Sequence, residues 1–287
     1  MPPSICVPTA PEFSPPLREV IARHGLSARR SLGQHFLLEG NLIQRIVRAA
    51  GPLSGQHVVE IGPGPGGLTR SLLASDAASV TVVEIDPRAI AAMQELSVQM
   101  PGRLRVIAGD AMSLDVASLV PAPRHIVANL PYNIATPLLI GWLRRAFDFE
   151  RLTLMFQQEV AERICAERDT PSYGRLAVLS QWVCAAKLLV RIPPSAFVPP
   201  PKVYSAIVGL VPHAVQPAAE LFRQMERLTA AAFGQRRKML RSALKSLGGE
   251  MLLRAAAVAP DRRAGALSVD EFDRLARLLS TVAPQTP

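Results

Sequence analysis

The chain is poor in cysteine. Of its 287 residues only Cys6, Cys165 and Cys184 carry thiols, far apart in sequence. They make no CxxC pair and no disulfide framework, which points to a reducing compartment, the cytoplasm. No charge-free apolar run approaches about 18 residues, so no membrane span is expected. The five histidines form no HExxH, and no metal site is expected. The N-terminus, MPPSICVPTAPEFSPP, holds six prolines in its 16 residues and no basic residue before Arg18. It lacks the early charge and apolar core of a signal peptide. Residues 1–26 are expected to form a Pro-rich disordered tail. No internal repeat occurs.

The sequence does hold enough apolar residues, 49%, for a globular protein. Its net charge of +9 is unevenly spread. Residues 187–263 contain 13 Lys/Arg against 4 Asp/Glu, whereas residues 1–186 contain 17 against 16. A single charge run is usually a solvated helix face. A segment that carries the entire excess favours a polyanionic partner, most simply nucleic acid.

Short apolar strands alternate with helical stretches. Strands are expected at 57–61, 80–84, 104–108, 125–128, 152–156, 187–192 and 204–211. Helices are expected at 39–50, 66–75, 87–98, 136–146 and 158–168. Continuous apolar strands separated by helices predict a parallel sheet covered on both faces. The last two strands lack a clear intervening helix, so an antiparallel hairpin at the sheet edge is expected, with FVPPPK (197–202) in its connection. Beyond VPH (211–213) only helices are predicted, at 217–232, 236–247, 249–258 and 268–280, the last opened by a Ser268/Glu271 capping box. The expected domains are residues 27–212 and 213–287.

VVEIGPGPGGLTR (58–70) puts a glycine-rich turn between a strand and a helix, and Gly62, Gly64 and Gly67 fit GxGxxG. The pattern suits a dinucleotide or S-adenosylmethionine equally. Pro63 and Pro65 remove N–H groups that a pyrophosphate would need. Glu84, ending the second strand, can accept both ribose hydroxyls. Asp110, after the third, can accept from an adenine amino group. Alone, Asp110 reads as a turn residue and Glu84 as a helix N-terminal acid. In register at successive strand ends they favour an adenosyl ligand without phosphate.

The fourth strand delivers Asn129-Leu130-Pro131-Tyr132 to the same sheet edge. An isolated stretch of this kind reads as a strand stop with a packed tyrosine. It also has what methylation of an exocyclic base nitrogen needs. The Asn129 side-chain oxygen and the Leu130 carbonyl can accept the two N–H bonds of the amine, Pro131 holds the chain extended, and Tyr132 offers a stacking face. Positioning supplies most of the effect.

NLPYNIATPL (129–138), VEIGPGPGGLT, LGQHFL (32–37), MFQQEVAERI (155–164), YGRLAVL (173–179), FVPPPKVYSAIV (197–208) and FGQRRKMLRSALK (233–245) together resemble the ribosomal RNA adenine dimethyltransferases, in their bacterial small-subunit group. The resemblance runs from about residue 29 to the C-terminus. It implies an α/β fold: a Rossmann-like, S-adenosylmethionine-dependent methyltransferase sheet with helices on both faces, then a small all-helical C-terminal domain. It implies N6,N6-dimethylation of two adjacent adenosines near the 3′ end of 16S rRNA, by a monomer acting on a pre-ribosomal 30S particle without membrane or metal. Carried onto this sequence, the cofactor contacts are His35, Leu37, Gly62, Gly64, Glu84, Asp110 and Asn129. Asn129 to Tyr132 hold the target amine. Phe197 stacks on the flipped adenine opposite Tyr132, steadied by Pro199-Pro200-Pro201. Arg236, Arg237, Lys238, Arg241 and Lys245 meet rRNA phosphates. The chain departs from the family pattern at His35, often Asn, at Leu32, often aromatic, and at Tyr204, often Asp. The competing readings are an Erm-type large-subunit rRNA methylase, a nicotinamide-dependent oxidoreductase, and a non-catalytic assembly factor.

Overall fold

The computed structural model of the chain describes residues 13, 15–28 and 34–282. Residues 1–12 of the expected tail, and Leu32 and Gly33 of LGQHFL, lie outside the described residues. The chain divides into two compact units, residues 1–131 with 195–201 and residues 132–194 with 202–287.

The first unit contains α1 (Leu17–Arg23), β1 (Phe36–Leu37), α2 (Gly40–Ala49), β2 (His57–Ile61), α3 (Gly67–Leu73), β3 (Ser79–Glu84), α4 (Pro87–Gln99), β4 (Leu104–Ala108), β5 (Arg124–Asn129) and, from later in the chain, β8 (Phe197–Val198). Its sheet runs β4-β3-β2-β5, and all three pairings are parallel. Val58, Val59, Val80, Val82, Ile126 and Val127 are fully buried. Such β-branched runs, covered on both faces, are what a parallel sheet requires. In α2, Leu42, Ile43, Ile46 and Val47 are the buried face, as their spacing predicts.

The expected tail needs correction. Part of it is α1, with Val20 and Leu26 buried. Leu17 lies against the start of α3, where its Cδ2 would stand 3.3 Å from a Cβ placed on Gly67. Arg23 pairs with Glu19 and reaches Glu95 of α4. Apolar burial and these contacts offset the ordering cost that a proline-rich segment alone could not.

The second unit contains α5 (Tyr132–Leu143), β6 (Arg151–Gln157), α6 (Gln158–Ile164), α7 (Arg175–Val183), β7 (Cys184–Ile192), β9 (Ser205–Pro212), α8 (Ala219–Gly234), α9 (Leu240–Ala243), α10 (Gly249–Ala255) and α11 (Val269–Val282). Its strands run β6-β9-β7, all antiparallel. The predicted pairing of the last two strands is therefore present, from Cys184↔Pro212 to Ile192↔Ser205. Helix α7 was not expected, and α5 starts four residues earlier than its spacing suggested. The helix predicted over 236–247 is broken: α8 stops at Gly234, residues 235–239 turn, and α9 is one short turn. Gly234, a poor helix former, is the last residue of α8. The capping box of α11 is formed reciprocally, Ser268 N–H to Glu271 Oε2 at 2.8 Å and Glu271 N–H to Ser268 Oγ at 3.2 Å.

Beyond Pro212 the described chain is helical, as predicted. These helices nonetheless share a compact unit with β6, β7 and β9. Aromatic contacts account for this: Trp182 of α7 meets Phe222 of α8 at 5.7 Å and donates to Asp273 of α11 at 3.0 Å, and Phe233 stacks on Phe272 at 5.6 Å. Among the described residues no helix is long and apolar enough to cross a membrane.

Candidate active site

The carboxyl ends of β2, β3, β4 and β5 lie on one edge, because the four strands are parallel. Glu84 ends β3 and is buried, 5% exposed. Its Oε1 accepts from the N–H groups of Ile85 (2.8 Å) and Asp86 (2.9 Å), and its Oε2 from that of Gly64 (3.3 Å). Burial raises its pKa against these three bonds, which favour the charged form. Helix capping does not explain Glu84. Asp86 is the N-cap of α4, accepting from Arg88 N–H, and its pKa is held down to about 2, chiefly by the Arg88 side chain. Glu84 therefore takes no part in capping α4.

The glycine loop is tied to both neighbouring strand ends. Gly64 has φ +53°, and a Cβ there would stand 3.0 Å from the Phe36 ring, so only glycine fits. Gly62, φ +67°, faces Pro131, whose Cδ lies 3.6 Å from its Cβ position. Gly109 N–H donates to the Glu84 carbonyl at 2.8 Å, which sets Asp110 just past the end of β4. Asp110 is exposed, and its Oδ1 accepts from Met112 N–H at 2.9 Å.

Strands β1 and β8 bring a second group together. They pair antiparallel, Leu37 opposite Phe197 and Phe36 opposite Val198. His35 donates from Nδ1 to the Pro199 carbonyl at 2.8 Å, and its ring meets Phe197 edge-on at 6.5 Å. Asn129 Nδ2 donates to the His35 carbonyl at 3.3 Å. A carbonyl can only accept, so this bond fixes the amide: its NH₂ faces His35 and its Oδ1 is the acceptor that remains. Phe197 is 2% exposed.

Tyr132 opens α5 in the second unit, and its hydroxyl lies 2.6 Å from Ser205 Oγ. The basic residues are in that unit too. Arg237, Lys238, Arg241 and Lys245 are exposed and, among the described residues, unpaired. Arg236 instead donates to the Tyr173 carbonyl at 2.6 Å.

Sequence reasoning missed the Asp86–Arg88 clamp. Arg88 donates from Nε and Nη2 to Asp86 and from Nη1 to the Gly25 carbonyl at 2.6 Å. Ile85, next to Glu84, and Met112, two residues after Asp110, are apolar side chains about half exposed.

Comparison with known proteins agrees with this geometry. The family model for ribosomal RNA adenine dimethylase matches residues 25–281. The chain is 61% identical to the ribosomal RNA small subunit methyltransferase A of Gluconobacter oxydans, over 92% of this chain and 87% of that one. It is 57% identical to the protein of the same name from Paramagnetospirillum magneticum, over 92% and 95%. Among solved structures it resembles a dimethyladenosine transferase from Plasmodium falciparum, with TM-score 0.71, 27% identity, and 84% and 96% of the two chains covered. It also resembles the 23S rRNA methyltransferase ErmE, with TM-score 0.65, 26% identity, and 85% and 99% covered. The model match over most of the chain and these identities show that the chain belongs to the ribosomal RNA adenine dimethylase family.

Proposed function

We propose that this protein dimethylates the N6 amino groups of two adjacent adenosines near the 3′ end of 16S rRNA, using S-adenosylmethionine, during small-subunit biogenesis. The observation that carries the reading is the Asn129 amide, turned by the His35 carbonyl so that Oδ1 accepts, at a strand end continuing as Leu130-Pro131-Tyr132. The relatives at 61% and 57% identity, both named for the small subunit, support that target. The 26% likeness to a 23S enzyme supports a large-subunit target less.

The residues present fit an adenosyl cofactor. Glu84 would accept the ribose hydroxyls and Asp110 the adenine amino group, with Ile85 and Met112 as apolar walls. His35, Leu37, Gly62, Gly64 and Asn129 would complete the site. The two prolines of the loop withhold the N–H groups that a pyrophosphate needs, and the nearby carboxylates suit a sulfonium. When bound, S-adenosylmethionine supplies an electrophilic methyl group. Asn129 Oδ1 and the Leu130 carbonyl accept the two N–H bonds of the target amine, which turns its lone pair out of conjugation with the ring. The task is positioning rather than general-base catalysis. Tyr132 offers its face to the base. Phe197 can join it only if residues 195–201 yield, on top of the few kcal/mol of base extrusion.

In this reading residues 27–212 carry the chemistry. Residues 213–287 carry RNA binding through Arg236, Arg237, Lys238, Arg241 and Lys245. The protein works as a monomer in the cytoplasm on 16S rRNA in a 30S precursor. Incubation with precursor particles, then mass spectrometry of the rRNA, should show two adjacent dimethyladenosines that require S-adenosylmethionine. Modification confined to 23S rRNA, or titration showing that only NAD binds, overturns the reading. Asn129→Ala should slow methyl transfer by about 10²–10³-fold. An unchanged rate removes Asn129 from the chemistry.

A further inference from the structure

The second unit contains a cleft of whose side chains the proposed function uses only Arg236. It lies where α6, α7 and the end of α8 meet, with a volume of about 470 Å³, within the range of sites that enclose small ligands. Three guanidinium groups line it, those of Arg163, Arg175 and Arg236, against the single carboxylate of Glu159. Leu176 and Phe233 supply an apolar wall.

The present partners of these arginines are slight. Arg163 pairs with Glu159 through Nη2 alone, and both side chains are more than half exposed. Arg175 reaches Glu226 only at 3.4 Å, because that carboxylate is already taken by Nε and Nη2 of Arg144 at 3.1 and 2.9 Å. Arg236 is fixed differently. Its Nη2 donates to the Tyr173 and Thr170 carbonyls, which anchors the guanidinium while committing only one of its three nitrogens. Three forked donors around a cavity match the oxygens of a phosphate, and an adjacent aromatic ring suits a sugar or base. Exposed Arg237 and Lys238 follow Arg236 directly.

We infer that this cleft takes one nucleotide of single-stranded rRNA other than the target adenosines, its phosphate among Arg163, Arg175 and Arg236 and its base or sugar against Phe233 and Leu176. The inference rests on the RNA-binding reading above. The test uses the full chain and a 16S rRNA fragment carrying the 3′ region, with affinity measured across a salt series. Arg163→Gln with Arg175→Gln should make the slope of log K against log salt shallower by about 0.7, the share of one single-strand phosphate, and leave S-adenosylmethionine affinity unchanged. Arg163→Lys with Arg175→Lys should restore the slope. A slope left shallow by the lysine pair means damage rather than lost charge, and overturns the proposal. An unchanged slope in the glutamine pair also overturns it, provided Arg237→Glu with Lys238→Glu has weakened binding. If that second variant changes nothing either, the RNA-binding reading itself fails.

Discussion

Glu60 and Glu84 stand on adjacent strands, and burial raises the pKa of both, but their hydrogen-bond donors differ. Glu84 is surrounded by backbone N–H groups, which are fixed donors that favour its charge. Glu60, 1% exposed, has one hydroxyl donor, Thr69 Oγ1 at 2.7 Å. Burial, with a smaller push from the Glu84 charge, raises its pKa from 4.5 to about 8. The folded state therefore holds a proton that the unfolded chain releases. The stability tied to this group is fully present below about pH 4.5 and is lost as pH rises through about 8. Glu60→Gln, neutral at every pH, should remove that loss. In denaturant unfolding at pH 5, 7 and 9, the variant should gain on the natural protein as pH rises; parallel curves would show Glu60 to be charged when folded. The strand-end acids were legible in the sequence because each ends an apolar run. Which of them caps α4 was not, since only the folded structure shows that it is Asp86 rather than Glu84.

Elements were legible in proportion to their length. Strands of five or more residues such as β2 and β4 fall where their apolar runs lie. Strands β1 and β8, of two residues each, are too short for an alternating pattern, yet they bring His35, Leu37 and Phe197 together. The basic segment shows the converse failure. Helical spacing was read through residues 236–247, but the cations nearest α8 sit in a turn after Gly234. A turn projects successive side chains in different directions, so Arg237 and Lys238 can meet separate phosphates. Replacing both by Glu should weaken rRNA binding and lower its salt slope by at least about 2. Isothermal titration should show cofactor affinity unchanged. Affinity insensitive to salt would refute the role of the turn.

Across the whole molecule, the change from strands to helices at Pro212 was visible in composition, but the packing that joins them was not. Trp182, Phe222, Tyr173, Phe233 and Phe272 are dispersed over about 100 positions of the sequence and meet only in the folded unit. Phe272 is fully buried and Met251 is 83% exposed. Phe272→Ala should cost about 3–5 kcal/mol in denaturant unfolding, and Met251→Ala less than about 0.5 kcal/mol. Similar losses from both would contradict an aromatic core. Helix α1 carries a consequence of its own. The family model begins at residue 25, yet Leu17, Val20 and Arg23 belong to the folded body through Gly67 and Glu95. Kinship and folding thus draw different borders on this chain: an enzyme trimmed to its recognisable ancestry would lose the side chains that shield the root of its glycine loop.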